Sequence, residues 1–190
     1  MARPKQFDEE RAVGAALQAF WTAGYDGTST QDLCAATGLG RSSIYNTFTS
    51  KHDLFERALR RYMAEKNARM FELLDGEGSV KDKIRALLWL SVDAPADDPL
   101  GCLVVNATVE LGQRDPAIDR MLRADEDERS AALRAVIATG QRTGEIDKSR
   151  DADDLAHFVI ATIGGMRVAA RGGATRKTLE GIANVALTCL

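Results

Sequence analysis

The chain is 190 residues long with a formal net charge of −3, and 45% of its residues are hydrophobic. This length can hold one large domain or two small ones, and no apolar run reaches the roughly 18 residues that a membrane helix needs. The basic first residues lead into acidic ones, so we expect neither a signal peptide nor a membrane partner. Three widely spaced cysteines favour a reducing cytoplasm over a disulfide framework. Because the net charge is slightly negative, any binding of nucleic acid must depend on local chemistry.

Apolar residues recur at three- and four-residue spacing along almost the whole chain, and no segment alternates as a strand would. This spacing predicts a helix over residues 8–23, ended by Gly24 in a left-handed cap. Two short helices follow, one capped by Ser29 with Asp32 three residues on, the other from about residue 40. A longer helix runs from Ser50 to about residue 74. After the break at 75–79, further helices are predicted at 80–92, 100–111, 115–143, 152–171 and 175–190, which gives an all-α fold of about nine helices.

The two short helices meet across a turn that contains Gly38, which is the geometry of a helix-turn-helix. Their small apolar core is expected from Leu33, Leu39 and Ile44. The second helix opens with side chains that can reach base edges in a major groove: Arg41, Ser42 and Ser43. Its far end carries groups suited to phosphate oxygens: Tyr45, Thr47 and Lys51. Upstream, Arg3 and Lys5 are predicted to form a disordered basic arm that adds counterion release.

A fixed register of apolar, glycine, hydroxyl and lysine positions spans about the first sixty residues: Phe20, Gly24-Tyr25, Thr28-Ser29, Asp32-Leu33, Gly38, Ile44-Tyr45, Phe48 and Ser50-Lys51. This register resembles the amino-terminal signature of TetR-type repressors. Cys34 departs from it, since alanine is usual there, and Asn46-Thr47 stands where an aromatic or histidine pair is more common. The resemblance implies two sets of DNA contacts. Bases would be read by Arg41, Ser42, Ser43 and Asn46, and the DNA backbone would be held by Thr30, Tyr45, Thr47 and Lys51.

We therefore predict a DNA-binding domain at residues 1–50, a connecting helix at 51–74, and an effector-binding and dimerisation domain at 75–190. The resemblance implies that the last two helices pack against those of a second copy in a four-helix dimer interface. Palindromic DNA sites favour two-fold proteins, which supports a homodimer independently. The alternative is that these helices complete a monomeric core. The predicted interface residues are Leu155, Val159, Thr162, Gly165, Leu179, Ile182 and Ala186.

An effector pocket with apolar walls and a few polar groups is expected in the domain at residues 75–190. Asn106 and Glu110 fall four residues apart, on one helical face with apolar neighbours. The alternative is a helix whose polar edge faces water, and His157 alone is more typical of a hydrogen-bonded core histidine. The predicted effector contacts are Trp89, Cys102, Asn106, Glu110, His157, Phe158 and Met166.

Cys102 supports a more specific hypothesis about how the protein is regulated, because it lies in the first turn of the helix predicted at 100–111. The partial positive charge of that helix end favours the reactive thiolate, which suggests a sensor of electrophiles or oxidants. The competing interpretation is a small packing residue. No second cysteine or histidine stands near Cys102 in sequence, so a metal site is not predicted.

These patterns together predict a DNA-binding transcriptional regulator, a homodimeric repressor released from a palindromic double-stranded operator by a small-molecule effector. One alternative is a repressor switched by modification of Cys102. Alternatives from other classes are a helical enzyme or an adaptor without DNA binding. An enzyme is disfavoured because no nucleophile–base–orienter set is evident and only two histidines exist, so we expect no catalytic residue, cofactor or metal. An adaptor would leave the side chains of residues 41–51 unexplained.

Overall fold

The computed structural model describes residues 5–95 and 98–190, with side chains from Glu9 onward in the first helix. These residues form an all-α fold, as predicted, and contain no strand. The predicted contribution of Arg3 to a basic arm lies outside the described residues, whereas Lys5 already belongs to the first helix. The nine helices are α1 (Lys5–Gly27), α2 (Thr30–Thr37), α3 (Arg41–Thr47), α4 (Lys51–Asp75), α5 (Val80–Val92), α6 (Leu103–Leu111), α7 (Pro116–Thr143), α8 (Ala152–Arg171) and α9 (Arg176–Thr188).

Local capping explains where the short helices begin and end. The Ser29 hydroxyl accepts a hydrogen bond from the Asp32 N–H at 3.1 Å, and the Asp32 carboxylate accepts one from the Ser29 N–H at 2.8 Å, so the predicted capping box is confirmed. Gly38 ends α2 in the left-handed conformation, at φ 70° and ψ 11°. Gly24 differs from its prediction as a left-handed cap. Its ψ of 177° kinks α1, which continues to Gly27.

The chain divides into two compact units. The first comprises the residues up to Glu65 together with Leu103–Arg120. Its core is rich in aromatic side chains, and the rings of Phe20 and Phe55 meet edge to face with centroids 5.0 Å apart. Edge-to-face contact is the arrangement that aromatic pairs prefer. Leu33, Ile44 and Phe48 are buried in the same unit, so the two short helices are anchored by a continuous apolar core.

Helix α6 belongs to this first unit, which the sequence division at residue 75 does not anticipate. Leu103, Ala107 and Leu111 are spaced four apart, and all three are buried. This stripe lies on one helical face, and α6 packs against α1. Helix α6 and the first turn of α7 thus fold with the amino-terminal unit, while the assignment of residues 75–190 to effector binding and dimerisation stays a prediction.

The second unit comprises Lys66–Cys102 and Met121–Leu190. In its core α5 packs against both α8 and α9, with Leu88, Ile137 and Met166 fully buried. One buried polar cluster joins α4 to α7: the Asp125 carboxylate accepts hydrogen bonds from Asn67 Nδ2 and Arg129 Nε, both at 2.9 Å. Within the described ranges, no helix is long and apolar enough to cross a membrane.

Candidate nucleic-acid interface

Helix α3 presents most of its surface to solvent. Of its seven residues, Ile44 alone is buried, at 1% exposure, and it anchors the helix to the core of the first unit. Thr47 is half-buried at the end of the helix. The exposed residues are Arg41, Ser42, Ser43, Tyr45 and Asn46, which together are four of the predicted base contacts and one predicted backbone contact. The helix is short and polar enough to enter a groove with side chains on nearly every side.

Two predicted backbone contacts adjoin this surface through a direct hydrogen bond. The hydroxyls of Thr30, at the start of α2, and Tyr45, in α3, lie 3.1 Å apart. The Arg41 guanidinium lies 5.9 Å from the centroid of the Tyr45 ring. The structure therefore brings Thr30, Arg41 and Tyr45 together on one surface.

Lys51 lies at the start of α4 and rests on an aromatic ring. Its ammonium is 4.4 Å from the centroid of the Tyr25 ring, a cation–π contact. The Tyr25 ring in turn meets the Phe55 ring edge to face at 4.9 Å. Burial raises the pKa of Tyr25, and the charges of Asp115 and Asp26 raise it further, so the phenol stays neutral beneath the ammonium. Tyr25, which in the sequence is part of the family register, thus contacts the predicted phosphate-binding Lys51.

The turn between α3 and α4 is held by Asp53. Its carboxylate accepts hydrogen bonds from the Thr49 N–H at 3.1 Å and from Arg57 Nε at 3.0 Å. The Asp53 N–H donates to the Ser50 hydroxyl at 3.0 Å, which caps α4 as the sequence predicts. Burial acts to raise the pKa of Asp53, but the hydrogen bonds from Arg57 and Thr49 outweigh it and hold that pKa below the ordinary value. Asp53 is therefore ionised at neutral pH and fixes the entry to α4.

The predicted effector contacts fall in both units. Asn106 and Glu110 lie on α6 in the first unit. The Asn106 side-chain nitrogen is buried and has no hydrogen-bond partner among the described residues, whereas the Glu110 carboxylate accepts hydrogen bonds from backbone N–H groups of α1. Glu110 therefore already has protein partners, which distinguishes it from Asn106 as an effector contact.

In the second unit the other predicted effector contacts do not share one face. Met166 is fully buried in the core, while Phe158 is 38% exposed. His157 is also exposed, with Nε2 3.8 Å from an Asp153 carboxylate oxygen, so the interpretation as a core histidine is wrong. Trp89 is half-buried, and Arg85 lies 5.8 Å from its ring centroid.

Cys102 is half-buried and unpaired, and it lies immediately before α6 instead of in its first turn. The helix starts later than predicted because Gly101 takes a left-handed φ of 99°. Among the described residues no group of three or more His, Cys, Asp or Glu side chains could hold a metal ion.

The predicted dimer-interface residues divide between the core and the surface of the chain. The exposed fractions of Leu155, Val159, Leu179 and Ala186 are 5% or less, so these side chains pack the core of their own chain. Thr162 and Ile182 are half-buried, and Gly165 is exposed. Solvent reaches a neighbouring face, which contains the predicted Gly165 and five residues outside the predicted interface: Phe158, Ala161 and Val168 on α8, with Gly181 and Val185 on α9. The spacing of three and four residues from Phe158 to Val168 is the signal that could have found it.

Comparisons with known proteins agree with this arrangement. Residues 13–58 match the family model of bacterial regulatory proteins of the tetR family, and residues 80–183 match the tetracyclin repressor-like C-terminal domain. The HTH-type transcriptional repressor ComR of Escherichia coli strain K12 is 33% identical over 190 residues, covering 97% of this chain and 90% of ComR. The uncharacterised HTH-type transcriptional regulator YezE of Bacillus subtilis strain 168 is 30% identical over the full length of both chains. A cysteine mutant of the regulator CifR, complexed with 26-base-pair double-strand operator DNA, has a TM-score of 0.86 and 29% identity, covering 98% of each chain.

Proposed function

The chain belongs to the TetR family of transcriptional regulators. On that premise we propose that it is a homodimeric repressor, released from a palindromic operator when a small molecule binds within residues 75–190. The observation that carries the proposal is the exposed surface of α3, where five of seven side chains face solvent and only Ile44 is buried. We propose that it acts on DNA in the cytoplasm.

DNA recognition follows from the placement of these side chains. A major groove about 12 Å wide admits one α-helix, and α3 would enter it. Arg41 can donate two hydrogen bonds to a guanine, while Ser42, Ser43 and Asn46 reach neighbouring base edges. The hydroxyls of Thr30 and Tyr45, the Thr47 hydroxyl and the Lys51 ammonium would hold the phosphates on either side.

The dimer is proposed to form through the exposed face of α8 and α9. Val168 is 56% exposed and Val185 66% exposed, and exposed apolar residues that share a face mark interaction surfaces. Apart from the surrounding turns of the same helix, no heavy atom of the described residues lies within 4 Å of a Cβ placed at Gly165 or Gly181, which leaves room for close approach by a second copy. A two-fold dimer would present two α3 helices to successive turns of the major groove.

The effector is proposed to accept a hydrogen bond from Asn106. A buried donor without a partner costs about 1–3 kcal/mol, and an effector with a carbonyl or hydroxyl oxygen would satisfy it. The effector need only favour the DNA-incompetent state by a few kcal/mol, the usual size of coupling between two sites.

The direct test is selection of an operator from a random double-stranded library, followed by binding titrations from about 50 to 200 mM salt. Lys51→Ala removes one phosphate contact from each protomer, so it should weaken all sites alike and reduce the slope of log K against log salt concentration by about 1.8 for the dimer, about 0.9 per contact. Arg41→Ala should relax preference at one base pair of each half-site, by about 1–3 kcal/mol per half-site. Lys148→Ala, which removes an exposed lysine between α7 and α8, is the control and should bind as wild type. Failure to enrich any sequence, or equal losses from both variants at every site, would contradict the proposal.

A second candidate is a repressor switched by chemical modification of Cys102. The observation that favours it is position: the free, half-buried thiol is the last residue of the second unit before the chain enters α6 and the first unit. A group added to this sulfur would lie at the start of a helix that packs against α1.

A further inference from the structure

The carboxylate of Glu110 on α6 forms hydrogen bonds with the end of α1. Glu110 Oε2 accepts hydrogen bonds from two successive backbone N–H groups, that of Tyr25 at 2.6 Å and that of Asp26 at 3.3 Å. Hydrogen bonds to an ionised acceptor are about twice as strong as neutral ones. The residues in contact are 85 and 84 positions apart in sequence, so this is a tertiary clamp and not a local cap.

Gly24 makes room for that carboxylate. Its φ of 79° is one that residues with a side chain rarely adopt, and it turns the backbone of α1 toward α6. A Cβ at position 24 would lie 2.0 Å from Glu110 Oε1 and 2.9 Å from Cδ. Any side chain at this position would therefore displace the carboxylate from the two N–H groups.

The neighbouring residues extend the same contact. Arg114 Nη1 donates to the Asp26 carboxylate at 2.9 Å and to the Glu110 carbonyl at 3.2 Å. This ion pair is largely exposed, so it contributes little by itself. Asp115 bonds to His52 beside the start of α4. Residues 110–115 thus hold both the end of α1 and the beginning of α4, between which the DNA-reading helices lie.

We propose that Glu110 is a positioning residue for DNA binding, which acts on Lys51 through Tyr25. The carboxylate holds the Tyr25 backbone, the Tyr25 ring lies 4.4 Å from the Lys51 ammonium, and the ammonium meets a phosphate. The last link rests on the proposed function, which assigns Lys51 to the DNA backbone. Without Glu110 the Tyr25 backbone loses its hydrogen bond, the ring is no longer held in one position, and Lys51 loses a fixed cation–π contact.

The test is a double-mutant cycle on the selected operator with the full chain. Glu110→Ala should reduce affinity by the same factor as Lys51→Ala and reduce the slope of log K against log salt concentration by the same amount, about 1.8 for the dimer. The double variant Glu110→Ala/Lys51→Ala should bind no more weakly than Lys51→Ala alone, because both changes remove one contact. Thr108→Ala, an exposed change on the same helix, is the control and should bind as wild type.

The outcomes separate a positioning role from a purely structural one. If Glu110→Ala is less stable but its folded protein keeps the wild-type affinity and salt slope, or if its effect adds to that of Lys51→Ala, the inference is overturned. If Glu110→Ala does not fold, Glu110→Gln decides: it keeps one acceptor oxygen without the charge and should show a smaller loss that is likewise absent on the Lys51→Ala background. Wild-type protein that enriches no operator overturns the proposed function itself, whereas normal wild-type and Lys51→Ala behaviour with an unaffected Glu110→Ala overturns only this inference.

Discussion

Removal of the Asp125 carboxylate tests the energetics of the second unit. The Asp125 side chain is 4% exposed and that of its partner Arg129 22% exposed, while Asn67 is buried at 7%. Asp125→Ala would leave the Arg129 charge and the Asn67 amide without the acceptor that they share. The variant therefore exposes how much a buried polar cluster contributes to a mostly apolar core.

The expected loss follows from the burial of each partner. Breaking a buried ion pair costs about 3–5 kcal/mol. Because 22% of the Arg129 side chain is exposed, water can solvate part of its unpaired charge, and the lower end of that range applies. The buried Asn67 amide keeps the cost from falling further, since an unsatisfied donor costs about 1–3 kcal/mol. We expect a decrease of about 3 kcal/mol in the free energy of unfolding, or a melting temperature lower by roughly 6–12 °C.

Urea denaturation at fixed protein concentration measures this loss, since unfolding of the proposed dimer would depend on concentration. Asp127→Ala is the matched control, because it removes an exposed carboxylate from the same helix and should change the free energy of unfolding by less than about 0.5 kcal/mol. A loss from Asp125→Ala within about 1 kcal/mol of that control would refute the reasoning and show that the cluster is no more stabilising than a surface group.

Three further results are expected. Gly165→Leu should fold, because no other described part of the chain lies within 4 Å of a Cβ there, yet it should sediment as a monomer. Ala135→Leu on α7 is the control and should remain dimeric, and a folded dimer of the Gly165 variant would refute the proposed interface. Folding lowers the pKa of Asp53, so its carboxylate stabilises the protein at pH values above its ordinary pKa of about 3.9. This stabilisation is lost as pH falls through the lower folded-state pKa. The difference in unfolding free energy between wild type and Asp53→Asn should therefore stay constant from about pH 7 to 5 and shrink below about pH 4, and a constant difference would contradict the assignment. Under limiting electrophile, mass spectrometry should find Cys102 labelled first as operator is released, with Cys102→Ser unresponsive; labelling only after unfolding would leave Cys102 a packing residue.

Features set by neighbours in sequence were predictable. The Ser29–Asp32 capping box needs only its own four residues, and the exposed polar face of α3 follows from one apolar residue, Ile44, in a seven-residue helix. Both appear in the structure as the sequence indicates. The helix-turn-helix is therefore readable from local pattern alone.

Features set by distant partners were not predictable. The kink at Gly24 accommodates a carboxylate that arrives from residue 110, and the sequence around Gly24 carries no trace of it. Helix α8 is apolar on several faces, so its pattern does not say which face meets α5 and α9 and which meets solvent. Packing decides that Leu155, a predicted interface residue, is buried and that Val168, which lies outside the predicted interface, is exposed.

The discontinuity of the first unit governs how the chain can complete its folding during synthesis. Residues up to Glu65 leave the ribosome well before Leu103–Arg120, which supply the remaining part of the same unit. Until α6 emerges, the N–H groups of Tyr25 and Asp26 lack their acceptor, and α1 lacks one of its packing partners. Contacts across such a separation close slowly, because a long loop must be ordered before they form. The newly made amino-terminal helices therefore cannot complete their packing until a segment some forty residues further along the chain has been translated.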